Sequence, residues 1–464
     1  MKKYYVYILL ISLLNSILFF NYQLGINACI FVIPLLSFII YILYKNNKIN
    51  NKKGLLLIIP ILLLSSFYFI YDNIFFKYLN ILAITILFNL MYIYTIYPTY
   101  RIKEVLLSIL SLLIEPLGLI EKLFKELSNM ISKTFKINDE LKNKSKSILI
   151  VLPIIVVVIL LLVSADMVFE SIFTNIFKIF KNISIDNIFI RLFWIIIIFV
   201  YLSLVIKFLL EKYDKKEYKD TKLKIDNYTI KILLTSLNII YVIFDFIQIR
   251  SLLFHQVSNI NYAEYARSGF FQLMFISIIN LVIVLLSKYS KEDNKYNKIQ
   301  SICMVFLTLI IIISSFLRMY MYEIAYGYTL LRLLVYVSLF TEVILLIPTV
   351  MYIINTKVNI FKYYLIIIIT IYTILSLSPI DYIIAKRNIN KYYKDGKIDL
   401  LYLENYSSDN VELLIELYNH LEDKNKKESI EEYFNNAKYY WNIKGFQDYN
   451  ISRYKANNLI KDIK

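Results

Sequence analysis

The chain has 464 residues, 59% of them hydrophobic, with a mean hydropathy of +0.60 and a formal net charge of +16. Its apolar residues come in uninterrupted stretches of about 20, the length that crosses a bilayer, which excludes a soluble globular protein. Seven glycines and two histidines, His255 and His420, leave little from which to build a phosphate-cradling loop or an imidazole metal site.

Spanning runs are predicted near 4–20, 25–44, 54–71, 78–97, 147–165, 188–210, 230–252, 269–287, 300–318, 331–354 and 361–378, eleven in all. The basic amino end lacks a small-residue cleavage site and reads as a retained first helix. With the amino terminus inside, the cytoplasmic segments hold 27 Lys/Arg and the opposite segments 6. That alternation predicts a cytoplasmic amino terminus and an extracytoplasmic tail. Abundant Lys, Asn, Ile and Tyr also suit an AT-rich genome, so placement of the charge carries more weight than its total.

Four regions follow: an amino-terminal four-helix membrane region (1–97), a basic cytoplasmic loop (98–146), a seven-helix membrane region (147–378) and a helical extracytoplasmic tail (379–464). Within the loop, EVLLSILSLLIEPLGLI at 104–120 is apolar but carries Glu115 and Pro116 at its deepest point, so a re-entrant or surface-lying element is expected. The next helix sets Ile120, Phe124, Leu127 and Ile131 against Lys122, Lys125 and Lys133, as an interfacial helix would. Ile172, Phe173, Ile176, Phe177 and Phe180 form a similar stripe on the outer side. Packing against neighbouring helices would account for either stripe equally well. The tail balances 14 Lys/Arg against 14 Asp/Glu and has helical spacing in VELLIELYNHLE and EEYFNNAKYYW.

No phosphate loop, dinucleotide fingerprint or hydrolase motif occurs, so neither an enzyme nor a cofactor is expected. Cys29 and Cys303 lie inside apolar runs and form no thiolate metal site. The basic loops have a topological explanation, and no nucleic-acid partner is inferred.

Threading the charges through this topology gathers a candidate polar cluster at the outer rim: Asp166, Asp245, Arg250, Glu264, Tyr265, Arg267, Arg318, Glu323, Tyr326 and Arg332. In NYAEYAR, Asn261 and Glu264 have capping-box spacing, and Glu264 with Arg267 makes an i, i+3 pair worth only ~0.2–0.5 kcal/mol when solvated. A helix start at the membrane surface explains that segment. Asp245 differs, because it falls inside a span, where an ionisable side chain needs a partner or a wet cavity. Arg250 or Arg318 is the expected partner.

VSADMVF, NYAEYARSGFFQL and YEIAYGYTLLR, in this order, with the tail stretch YIIAKRNINKYYKDGKIDLLYLENYSSDNVELL, resemble the bacterial membrane family catalogued as domain of unknown function 4173, close to family 4153. The resemblance covers roughly residues 100–425 and implies a polytopic membrane protein without an assigned activity. The residues themselves predict an all-α integral membrane protein. Its expected role is a non-enzymatic sensor, scaffold or partner in the cell envelope, with the bilayer and an extracytoplasmic protein or small ligand as partners. The alternative is a transporter, channel or lipid-handling protein built on the rim charges.

Overall fold

The computed structural model describes residues 2–97, 115–135, 186–211, 225–253, 269–289, 294–396, 398–404 and 407–461. Helices dominate them: α1 (Lys2–Phe19), α2 (Ile26–Lys45), α3 (Ile58–Ile70), α4 (Ile74–Ile96), α5 (Ile120–Phe135), α6 (Asp186–Glu211), α7 (Asn227–Leu253), α8 (Phe270–Ser287), α9 (Lys295–Tyr326), α10 (Leu330–Ile354), α11 (Ile360–Ser376), α12 (Ile380–Asp395), α13 (Leu400–Glu404), α14 (Val411–His420), α15 (Lys424–Tyr440) and α16 (Ile451–Lys461). Among the described residues, 8 helices are long and apolar enough to cross a membrane, or 9 if the bent pair α11–α12 counts as one span. The chain is a multi-pass helical membrane protein. Ten of the eleven predicted runs fall on described helices, while 147–165, the stripe at 172–180, Asp166, Glu264, Tyr265 and Arg267 lie outside the described residues.

Two compact units divide the chain. The first comprises Met1–Ser65, Leu82–Tyr218 and Lys444–Tyr449. Here α5 has its expected amphipathic form, with Lys122 and Lys125 exposed and Leu123, Phe124 and Ser128 buried. The buried face packs towards α6, so protein covers at least part of the stripe. Glu126 explains the fit: Lys207, inside the α6 span and 1% exposed, lies 2.6 Å from Glu126 Oε1, while Tyr5 Oη donates to Glu126 Oε2 at 2.9 Å. A buried ammonium in a span needs such a counter-ion. Glu115–Leu119 is a short 3-10 turn with Pro116 buried, consistent with proline opening a helix rather than continuing one.

The second unit comprises Ser66–Ile81, Lys219–Ile443 and Asn450–Lys464. Helices α7 to α10 form its membrane bundle around Leu234, Phe270, Leu281, Met304, Ile312, Met319 and Leu339. At 32 residues, α9 is about 48 Å long and outreaches the ~30 Å hydrocarbon core, so its Arg318–Tyr326 end stands at headgroup level or beyond. After α11 the chain bends by 62° into α12. Pro379 precedes the first turn of α12, and Asp381, Lys386, Arg387, Lys391 and Lys394 keep this helix out of hydrocarbon.

The predicted tail helices are present as α14 and α15, and with α12, α13 and α16 they close a separate core of Ala385, Leu403, Leu414, Leu417, Ile430, Phe434, Trp441 and Ile460. Polar bonds fix this core to the connection between α3 and α4. Asn450 Nδ2 donates to the carbonyls of Tyr68 and Tyr71 at 2.9 and 2.8 Å, and the fully buried Arg453 holds its Nε 3.0 Å from Asp72 Oδ1. The Asp72 N–H reaches both oxygens of Asp409 at 3.1 Å. Burial, and then the neighbouring carboxylates Asp381 and Asp72, push Asp409 up to about 7 from an ordinary 3.8, against the hydrogen bond from Ser452.

A carboxyl whose folded pKa is raised binds its proton more tightly when folded. Its effect therefore leaves the fold unburdened below about pH 4 and weakens it progressively as pH rises from there to about 7. The tail is expected to be more resistant to thermal unfolding at pH 5 than at pH 8, with Asp409→Asn flattening that dependence. Melting curves of the two proteins across this range provide the check.

Candidate functional site: a polar seam through the α7–α10 bundle

Side chains of Asn238, Tyr241, Asp245 and Gln248 recur every three or four residues and so share one face of α7. All but Tyr241 are fully buried. Opposite them, α8, α9 and α10 add further buried polar groups, which meet in successive layers. At one end Asn297 Nδ2 donates to Asn227 Oδ1 (2.5 Å) and Ser287 pairs with Ser301 (3.1 Å). Next, Asn238 Nδ2 donates to Gln300 Oε1 (2.7 Å). In the following layer Tyr241 Oη donates to Asn280 Oδ1 (2.8 Å), and Asn280 Nδ2 to Thr308 Oγ1 (3.0 Å). Further along, Ser277 bonds Glu342, and Arg318 Nη2 donates to Gln248 Oε1 (2.8 Å). A seam of successive polar layers thus runs along an otherwise apolar bundle.

Two carboxyl groups stand out within this seam. Asp245 is 3% exposed and neither oxygen accepts a hydrogen bond among the described residues; Glu342 is 5% exposed, and its Oε1 likewise accepts none. Glu342 lies at the midpoint of α10, the deepest place in a span. Ser277 Oγ faces both the Met274 carbonyl, at 2.7 Å, and Glu342 Oε2. A hydroxyl has one proton. Both contacts are satisfied together when Glu342 carries a proton and donates to Ser277, which donates in turn to the carbonyl.

The structure does not pair Asp245 with either expected arginine. Arg250 is exposed on the last turn of α7, and Arg318 reaches Gln248, one turn beyond Asp245. Gly269 makes room for that guanidinium: a Cβ at this position would come 2.9 Å from Arg318 Nη1, and φ is +103°. The glycine that opens α8 therefore serves the arginine of α9.

Glu323, Tyr326 and Arg332 form a second, shallower group. Glu323 accepts from Tyr336 Oη (2.7 Å) and from Arg387 Nη1 of α12 (3.0 Å), while Arg387 also lies 4.4 Å from the Tyr328 ring. Arg332 is buried, donates to the Gly327 carbonyl and stacks 4.2 Å from the Tyr322 ring. Tyr326 is exposed. Asn388 receives the Tyr328 N–H and donates to the Tyr328 carbonyl, each at 2.8 Å. This group is a joint between the α9–α10 turn and α12, and its contacts bring the YEIAYGYTLLR and YIIAKRNIN stretches together. Gly327 has φ +83°, and a Cβ there would meet Asn388 Oδ1 at 3.0 Å. Gly327→Ala is expected to cost ~1–3 kcal/mol through backbone strain and loss of the Asn388 bridge, measurable by denaturant melts.

Glu342, Lys207 and Arg387 were absent from the sequence-based cluster. Glu342 is the sole acidic residue of the 331–354 run, and a lone carboxylate at mid-span is the signal that finds it. Among the described residues, no group of three His, Cys, Asp or Glu could hold a metal ion.

A family model described as domain of unknown function (DUF4153) matches residues 58–417. The chain belongs to this family. The match takes in α3 to α12 and ends within α14, so it contains the whole polar seam and the α9–α12 joint. DUF4153 is the family named above as the near neighbour of 4173. No curated protein and no solved structure matches the chain.

Proposed function

We propose that this DUF4153 protein is a transport protein of the cell envelope that moves protons, or solute coupled to protons, along the α7–α10 seam. The single observation behind this reading is the pair of carboxyl groups buried inside spans, Asp245 and Glu342, in which both oxygens of Asp245 and Oε1 of Glu342 have no hydrogen-bond partner among the described residues. Such groups are costly to hold in a bilayer and mark proton and ion paths. Asp245 and Glu342 would carry the proton in turn, Ser277, Asn280, Thr308 and Tyr241 would line the path, and Arg318 with Gln248 would form one mouth. The test is collapse of an imposed pH gradient in vesicles containing the purified chain: Asp245→Asn and Glu342→Gln should each abolish it. Equal rates in wild type and both variants would refute the reading.

A specific observation also favours the sensor or scaffold role that the sequence suggested. The tail leaves adjacent aromatics Tyr439 and Tyr440 83% and 68% exposed beside its core, a surface suited to a protein partner. Deleting residues 385–464 tests this poorly, because it removes the partners of Asp72 and of the Tyr68 and Tyr71 carbonyls. Replacing both tyrosines with serine isolates the surface. We place the tail outside the cell on the strength of the loop charges. With Cys29 and Cys303 replaced, a single cysteine at Tyr439 should react with an impermeant thiol reagent on intact cells, and protection until permeabilisation would invert the topology.

A further inference from the structure

In the first unit a cavity of about 590 Å³ opens where α1 ends and α6 begins, lined by Ile17, Tyr22, Arg191, Lys444 and Gln447 among others. Its electrostatics are one-sided. Arg191 donates through Nε to Ser16 Oγ at 3.0 Å and approaches the Phe20 ring at 6.0 Å, which leaves both terminal nitrogens of its guanidinium without a bond among the described residues. Lys444 has no ion pair there either. The carboxylate in this segment, Asp448, is buried and already accepts the N–H groups of Lys444 (3.1 Å) and Gly445 (2.9 Å). Two cations therefore face one cavity with no ion-pair partner among the described residues.

The cavity wall is built rather than incidental. The Lys444–Tyr449 segment is held against the start of α2 by Asn27 N–H to the Gln447 carbonyl (3.0 Å) and Ile26 N–H to the Tyr449 carbonyl (2.9 Å). That anchoring fixes Lys444 and the Gln447 amide opposite Arg191. Leading to the cavity, Leu10, Leu13 and Ile17 form an exposed apolar stripe on α1, spaced i, i+3, i+7 as a lipid-facing surface would be. Trp194, one turn beyond Arg191, is exposed but ties its Nε1 to Asn15 Oδ1 at 2.9 Å, the placement typical of an interfacial tryptophan. An acyl chain on the stripe would bring its head group to the two cations.

We propose that this cavity binds the phosphate of a net anionic membrane lipid, one whose head group carries no balancing cation, with Arg191 giving a bidentate contact and Lys444 a second charge. The lipid is favoured over a free phosphate because the apolar stripe runs into the same opening.

The full chain reports on this directly, since its two tryptophans are Trp194 and Trp441 and Trp441→Phe leaves Trp194 as the sole indole. In vesicles of mixed composition, brominated phosphatidylglycerol should quench Trp194 at a lower mole fraction than brominated phosphatidylcholine. Lys444→Gln and Arg191→Gln should each reduce that preference about fivefold, the weight of one basic group near an anionic surface. The Lys444 side chain makes no ion pair among the described residues, so its substitution leaves the fold intact, and Arg191→Lys should retain most of the preference. Sn-glycerol phosphate at millimolar concentration separates the sources: no competition supports a lipid ligand, whereas competition supports the phosphate site with a soluble donor. Equal quenching by the two lipids, or a preference unchanged in Lys444→Gln and Arg191→Gln, overturns the proposal.

Discussion

Glu342→Gln and Asp245→Asn are expected to leave the protein as stable as wild type, or more stable by up to about 2 kcal/mol, while reducing proton flux more than tenfold. The stability expectation follows from the hydrogen-bond inventory. Asp245 has no polar partner to lose among the described residues, and the bond between Glu342 and Ser277 survives when an amide N–H donates to the hydroxyl. Each amide has nearly the shape of the acid it replaces and cannot ionise, so burial ceases to oppose a charge. The flux expectation follows from chemistry, because an amide cannot accept and release a proton at physiological pH. A structural carboxylate would behave oppositely, losing stability when neutralised. Thermal melts and flux measured on the same preparations separate the two cases.

Arg453→Ala should cost about 3–5 kcal/mol, the range for breaking a buried ion pair by removing one partner. Asp72 retains Lys77 at 2.5 Å, but the lysine is partly exposed whereas Arg453 is fully buried beside Asp72 and Asn450. Loss of the guanidinium also opens a cavity under α16. The effect should concentrate in the tail, so hydrogen exchange is expected to rise across 408–461 while α7–α10 stay protected. A double-mutant cycle with Asp72→Asn should show strong coupling, since the second change removes the carboxylate whose buried partner the first takes away. Additive losses would mean that Arg453 acts through packing alone.

Helical spans were legible because apolar length is a local property: ten runs and the two tail helices coincide with described elements. The polar seam was less so. Asp245, Arg318, Glu323 and Arg332 were visible as charges near span ends, yet their partners come from distant positions, such as Gln248 for Arg318 and Arg387 for Glu323. Loop charge reports on the rim and is silent about mid-span, where Glu342 lies. Neutral members such as Ser277, Asn280 and Thr308 carry no signal in a single sequence until a face is assigned. Gly269 read as a helix start; its second role, admitting Arg318, depends on a contact 49 residues away.

Proton passage along the seam is read from the rate at which a pH gradient decays across vesicles containing the purified chain, set against the Asp245→Asn/Glu342→Gln double variant inserted at equal density. A protein-dependent decay is expected in wild type, falling to the rate of empty vesicles in the double variant. A decay equal in both, or none above empty vesicles in wild type, would contradict proton transport by these carboxyl groups.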